Sequence, residues 1–228
     1  AYLLWGYATN ERGEDPEKAY RAAVRDYQET LKLSRDRSRA RLGRGIAQLF
    51  LSGYRLVRGG DWKEEIAAAQ ADFGALAEAH PRESRYWLWR GIAHMGSALG
   101  LQSSNQDPEK ECGLALTCID KSIELHPGSD SPWFFRGVTN GTLALHRRGR
   151  LKEARAACLD AIRDLDKAVA INATRYATWM WRGVAYAGLA FTTLANLKQR
   201  DENISCALRD LKRAVELAPD RPDPWLWR

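Results

Sequence analysis

The sequence predicts an all-α solenoid, built from antiparallel pairs of helices that repeat along the chain. A short aromatic motif recurs every 46 residues, and columns of small and apolar residues recur with the same spacing. No segment shows the apolar-polar alternation of a half-buried strand for any length. Self-similarity at such a period is typical of repeat architectures, in which each unit buries its apolar face against its neighbours.

The first helix of each unit carries the motif, which ends in Arg-Gly. Its copies occupy 87–91, 133–137 and 179–183, with an incomplete copy at 225–228 and a degenerate one at 41–45. The register predicts first helices that begin near Ser84, Asp130 and Tyr176. It also predicts that the complete units superpose closely, with helices of about 18 residues.

The second helix is indicated by a column of small residues and a column of larger apolar ones. The small residues are Ala23, Ala69, Ala115, Ala161 and Ala207, and the larger ones are Tyr27, Phe73, Ile119, Leu165 and Leu211. Asp-Pro followed by an acidic residue, at 15–17 and 107–109, is a signal for a helix start. Prolines at 81, 127 and 219 mark the ends of second helices, because proline cannot continue a helix.

The register divides the chain into repeats at 41–86, 87–132, 133–178 and 179–224. A partial repeat at 1–40 precedes them, and 225–228 begins a further one. Because no polar capping unit is visible at either end, we expect a fragment of a longer protein, prone to self-associate through its ends.

These residues resemble tetratricopeptide repeats over the whole chain. The matching residues are Trp179, Gly183 and Tyr186 in a first helix and Ala207, Leu211, Ala214 and Pro219 in a second. The resemblance implies a right-handed superhelix with its first helices along the concave face. The unit is longer than the usual repeat of about 34 residues. The Lys and Asn residues with which some family members clamp a peptide's C-terminal carboxylate are absent from the matching positions.

An arginine precedes the motif glycine in every copy, and aspartates share a column of the second helices. The arginines are Arg44, Arg90, Arg136 and Arg182, and the aspartates are Asp26, Asp72, Asp164 and Asp210, with Cys118 in place of Asp in one unit. We expect a structural ladder of partly buried ion pairs, in which Arg90, Arg136 and Arg182 bond to this aspartate column. An anion-binding stripe is the alternative.

Columns that change in size and polarity between units are candidates for binding a partner, since invariant columns serve the stacking. Three first-helix columns vary in this way. The candidate residues from them are Trp89, Phe135, Trp181, Gln48, His94, Asn140, Tyr186, Phe50 and Thr142.

The sequence offers little for catalysis or metal binding. No His or Cys lies three or four residues from another to make a chelating pair. No nucleophile motif or phosphate-binding glycine loop occurs. We therefore expect no enzyme activity, no metal and no cofactor.

The preferred interpretation is a protein-interaction scaffold that binds a peptide or protein, or another domain of the same polypeptide, on its concave face. A regulatory or sensor arm of a larger signalling enzyme, such as a kinase, protease or ATPase, is the alternative. RNA binding is less favoured, because the net charge of +6 is spread over mixed surface charge and the candidate columns are aromatic and neutral. Sparse cysteines and the absence of a leader or membrane-length apolar stretch favour the cytoplasm.

Overall fold

The computed structural model describes residues 15–33, 37–193 and 196–219, which form helices and short turns and contain no strand. The helices are α1 (Glu17–Leu33), α2 (Arg37–Val57), α3 (Lys63–Ala79), α4 (Ser84–Ser103), α5 (Glu109–Leu125), α6 (Asp130–His146), α7 (Leu151–Ile171), α8 (Tyr176–Thr192) and α9 (Leu197–Leu217). The all-α fold class is therefore confirmed. Residues 1–14 and the motif at 225–228 lie outside the described residues, and with them the predictions about the two ends.

The helices pack as pairs, each made of a first and a second helix. α2 pairs with α3, α4 with α5, α6 with α7 and α8 with α9, and each second helix also packs on the next first helix. Successive first helices contact one another, whereas no contact of similar extent joins the second helices in the described part of the chain. The first helices therefore lie on the inner side of the stack.

The outer boundaries of the pairs keep the predicted period. α4, α6 and α8 begin at Ser84, Asp130 and Tyr176, as predicted. The second helices α3, α5, α7 and α9 end 46 residues apart, at Ala79, Leu125, Ile171 and Leu217. The predicted units, such as 87–132, were counted from the tryptophan motif and therefore begin inside the first helices. They have the same period as the helix pairs but a different starting point.

The turn inside each pair does not keep the period. α4 has 20 residues and α5 has 17, whereas α6 has 17 and α7 has 21. Pro108 lies immediately before α5, where a proline prevents the helix from starting earlier. Ala154 takes its place in the next unit, and its amide bonds to the carbonyl of Arg150 at 2.9 Å. The later turns thus lie about one helical turn earlier, so the units differ in where their inner turn falls.

The motif glycine lets the two helices of a pair approach each other. A Cβ atom on Gly91 would lie 2.6 Å from Cγ1 of Ile119, and one on Gly137 would lie 2.6 Å from Cγ of Leu165. Gly183 has the same relation to Leu211, at 2.9 Å. Any side chain at these positions would push the helices apart, which explains why every unit has glycine there.

The motif tryptophan ties the start of each first helix to the turn before it. The indole Nε1–H groups of Trp87, Trp133 and Trp179 donate to backbone carbonyls six residues earlier, at 3.0, 3.0 and 2.9 Å. In α6 and α8, the motif arginine lies over the tryptophan ring, 4.7 and 4.6 Å from its centre. This residue therefore fixes the junction between units and holds the arginine in place.

Candidate partner-binding site

Three bidentate Arg–Asp pairs are present, each joining a first helix to the second helix of the same pair. Arg44 donates two hydrogen bonds to Asp72, at 2.8 and 2.7 Å. The remaining bidentate pairs are Arg136 with Asp164, at 3.0 and 2.6 Å, and Arg182 with Asp210, at 2.6 and 3.0 Å. These pairs are of the kind that the ladder hypothesis expects, with Arg44 taking the aspartate expected for Arg90.

Two of these arginines also bind a second carboxylate, from the preceding second helix. Arg136 donates to Asp120 at 2.6 Å, and Arg182 donates to Asp166 at 2.7 Å. Burial opposes the charge on Arg182, but its bonds with Asp210 and Asp166 outweigh this effect and raise its pKa. Burial also raises the pKa of Asp164, against the effect of Arg136. The second carboxylates were not predicted, because the column that contains them also holds Gly74 and Lys212.

Two of the predicted ladder residues, Arg90 and Asp26, form no Arg–Asp pair within the described residues. Asp72 pairs with Arg44 and not with Arg90, whose ion pair within the described residues is a 4.0 Å contact with Glu78. Asp26 is exposed, and no arginine pair reaches it in the described ranges.

The aromatic candidates lie on first helices and are half-buried. Trp89 stacks on Phe73 with ring centres 5.7 Å apart. Phe135 meets Phe134 edge to face at 5.0 Å, and Trp181 packs against the core from α8. Each of these side chains contributes to stacking and still presents part of its ring to the surface.

The polar candidates beside them bond within the chain. His94 Nδ1 lies 2.9 Å from a carboxylate oxygen of Glu111 and 3.2 Å from the amide nitrogen of Gln70. Asn140 donates to Asp164 at 3.0 Å, which supports the ladder. Tyr186 is half-buried, and this burial raises its pKa.

Two candidates are core residues, and the ring of a third stacks on another ring of the chain. Gln48 and Thr142 are buried, at 8% and 1% exposure, and so offer little surface to a partner. Thr142 Oγ1 donates to the carbonyl of Val138 one turn earlier, which explains how a polar residue is accommodated there. Phe50 is half-buried and stacks on Tyr20, with ring centres 5.9 Å apart.

An apolar pocket of about 250 Å³ opens between α6, α7 and α8. It is lined by Gly141, Ala144, Leu145, Arg148, Ala154, Cys158, Trp181, Val184, Ala185, Gly188, Phe191 and Thr192. Among the predicted site residues, only Trp181 lines it. Burial raises the pKa of the Cys158 thiol to about 11, so this thiol adds no charge to the wall at physiological pH.

The pocket exists because small residues replace large ones in two first-helix columns. Gly141 stands where earlier units have Leu49 and Met95, both buried. Gly188 stands where the first unit has Phe50. Exposed Leu145 and Phe191 form the rim of the pocket. They lie 46 residues apart and so share a third column, and two large apolar residues in one column were the signal that could have identified them.

Sites of other kinds are not apparent in the part of the chain that the structure describes. No group of three or more His, Cys, Asp or Glu residues is placed to hold a metal ion there. None of the helices in these ranges is long and apolar enough to cross a membrane.

No protein-family model matches the sequence, and no curated protein matches it either. Solved structures do match. The chain resembles a structure of MamA protein at 15% identity, covering 96% of this chain and 90% of that one, with a TM-score of 0.55. TTC0263, a thermophilic TPR protein in Thermus thermophilus, matches at 18% identity over 99% and 94%, with a TM-score of 0.56.

A third similar structure is YrrB, described as a TPR protein with an unusual peptide-binding site. Its identity is 18%, the coverage is 99% of this chain and 89% of that one, and the TM-score is 0.50. At such identities these likenesses report the fold. The chain therefore has the tetratricopeptide-repeat fold that the motif residues resemble.

Proposed function

We propose that this chain is a protein-interaction scaffold that binds a peptide segment of a partner on the face formed by its first helices. The apolar pocket between α6, α7 and α8 is the observation that carries this proposal. Pockets that take a ligand are concave and mostly apolar, with a few polar groups that set orientation. This pocket has that character, and it lies between neighbouring first helices.

The occupant that fits is a peptide with one large aliphatic or aromatic residue followed closely by an acidic one. The walls contributed by Trp181, Val184 and Phe191 are apolar, so an apolar side chain is the matching anchor. Arg148 is exposed at the mouth, where it would attract a carboxylate next to that anchor. Burying such a side chain contributes about 1.5–3 kcal/mol.

The fold and one similar structure support a peptide as the ligand. YrrB is described as having a peptide-binding site, and its structure covers nearly the whole of this chain. Interaction columns in a repeat array are those that vary between units, and the pocket is formed where two such columns carry glycine. Catalysis is not part of the proposal.

The test fills the pocket and leaves the fold intact. Gly141→Leu places in α6 the residue that α2 carries at this column, and a Cβ there would lie 3.8 Å from the Trp181 ring, an ordinary contact distance. Gly113→Leu is the matched control, because a Cβ on this exposed helical glycine of α5 meets nothing within 4 Å. Both changes remove a helical glycine, so both should maintain or raise stability.

Peptides selected from a random library on the wild-type protein should bind Gly141→Leu at least about tenfold more weakly, as expected from losing a buried anchor. The same peptides should bind Gly113→Leu with unchanged affinity. Isothermal titration calorimetry measures both affinities. Equal binding to all three proteins, or selected peptides without an apolar anchor, would eliminate the pocket as the site.

A further inference from the structure

The arginines of the first helices differ in how completely the chain satisfies them. Arg136 and Arg182 each bind two aspartates, one from their own second helix and one from the preceding one. Arg90 occupies the same column of α4. Both aspartate positions around it hold other residues, namely Cys118 and Gly74.

Neither replacement supplies a negative charge to Arg90. Cys118 is buried, and that burial raises its pKa, so the thiol stays protonated at neutral pH. Glu78 reaches a guanidinium nitrogen only at 4.0 Å, and its side chain is 74% exposed. Such an exposed and distant ion pair contributes little and is easily displaced.

The missing outer carboxylate leaves the guanidinium of Arg90 without a close partner on its outer side. A Cβ atom added to Gly74 would lie 3.9 Å from both Cζ and Nε of Arg90, so a side chain at this position would meet the guanidinium. In the later units Asp120 and Asp166 hold this position, and they are 51% and 52% exposed. Gly74 itself is buried, but the Arg90 side chain is 29% exposed, so a group from solvent can reach its outer edge.

We propose that the exposed edge of the Arg90 guanidinium, on the side of Gly74, is a binding site for an acidic side chain of a partner polypeptide. The partner's carboxylate takes the position that Asp120 and Asp166 take in the later units. A carboxylate is the matching ligand, because the chain itself fills this position with a carboxylate twice. Arg90 lies over the Trp87 ring at 5.7 Å, which limits its motion and presents its donors.

This site lies apart from the apolar pocket, on α3 and α4, and rests on the proposed function only in taking a polypeptide as the occupant. The two are tested by different variants. Gly141→Leu does not alter the surroundings of Arg90, and changes at Gly74 do not alter the pocket lining.

The test follows the side-chain Nε–H signals of the arginines by NMR. The probes are a terminally blocked peptide rich in glutamate, its glutamine counterpart, and inorganic phosphate. We expect the glutamate peptide to shift the Arg90 signal in a saturable manner, whereas the signals of Arg136 and Arg182 stay in place. The glutamine peptide should have no effect.

Gly74→Asp gives Arg90 the carboxylate present in the later units, and Gly74→Asn is its neutral match. The Asp variant should bind the glutamate peptide at least tenfold more weakly than the Asn variant. Equal responses of all three arginines, or equal affinities of the two variants, would overturn the proposal. A response to phosphate that exceeds the response to the glutamate peptide would overturn the carboxylate assignment.

Discussion

The arginines of the motif column show that one residue type serves different ends in different units. Arg182 and Asp210 are almost wholly buried, with side chains 10% and 0% exposed, and they bond to each other in a bidentate pair. Arg90 is 29% exposed, and its ion pair within the described residues is the distant contact with Glu78. A buried charge that loses its partner is costly, whereas an exposed one is solvated by water.

We therefore predict different losses of stability from the same substitution. Arg182→Ala should lower the free energy of unfolding by about 3 kcal/mol, because it leaves the buried carboxylate of Asp210 with only the exposed Arg209 as a charged partner. Arg90→Ala should cost under about 1 kcal/mol, because it breaks no close ion pair. Urea denaturation followed by circular dichroism measures both. Losses of similar size would mean that the buried ion pairs of Arg182 contribute no more to stability than the contacts of Arg90.

At this scale the sequence identified the right columns but not every pairing. The period shows that arginines and aspartates recur together, yet each first helix lies between two second helices. Spacing alone does not say which of these an arginine faces, so the aspartate column did not reveal that Asp72 bonds to Arg44 and leaves Arg90 without an aspartate. The apolar pocket was harder to predict, because it arises where Gly141 and Gly188 leave space, and only the packed structure shows what surrounds that space.

At the scale of helices, the position of the turn within each pair is set by local chemistry. Pro108 fixes the start of α5, whereas Ala154 allows α7 to begin earlier. The sequence predicted helix starts and ends at the junctions between units, where tryptophan and proline recur. It did not predict the shifted inner turn, because proline alone does not set it: Trp62 holds the column of Pro108, yet α3 begins in the same register as α5. Asp61 and Asp107 each accept a backbone amide at these helix starts, and that column holds Glu153 in the next unit.

Proline at position 154 should be far more harmful than proline at the first residue of the same helix. Ala154→Pro removes the hydrogen bond from the Ala154 amide to Arg150 and should cost about 3 kcal/mol. Leu151→Pro is the matched control, since proline is well tolerated at a first helical position. Thermal melts compare the two. A control variant as unstable as Ala154→Pro would contradict this account of the turn.

At the scale of the whole molecule, ion pairs join one unit to the next. Glu109 at the start of α5 accepts a hydrogen bond from Arg147 at 3.0 Å and pairs with Arg150, both in the turn after α6. Glu17 accepts one from Arg55 at 3.1 Å across the equivalent junction, two periods earlier. In a stack of units, the contacts between neighbours hold the array together.

Acid should weaken the junction made by Glu109. Hydrogen bonds from Arg147 and Arg150 lower the pKa of Glu109 from 4.5 to about 2. A carboxyl group with a lowered folded pKa stabilises the protein fully above its unfolded pKa and loses this contribution as the pH falls through the folded value. Stability should therefore decline between pH 4.5 and about 2, and urea denaturation across this range measures the decline.

Glu109→Gln is the control for that titration, because glutamine cannot ionise. The variant should be less stable than wild type at neutral pH, and the difference between the two should shrink toward pH 2. A difference that stays constant with pH would mean that other carboxylates cause the acid sensitivity.

The shifted inner turn has a consequence for recombining units of this protein. Exchanges made at the turns between units preserve chain length, because those boundaries recur every 46 residues. An exchange made at the inner turns would join a first helix ending at Ser103 to a second helix beginning at Leu151, or one ending at His146 to one beginning at Glu109. In such hybrids the end of the first helix and the start of the second helix would come from units whose inner turns lie at different positions, so the two helix boundaries would not match. The junctions between units are therefore the natural crossover points for building longer or shorter arrays from these parts.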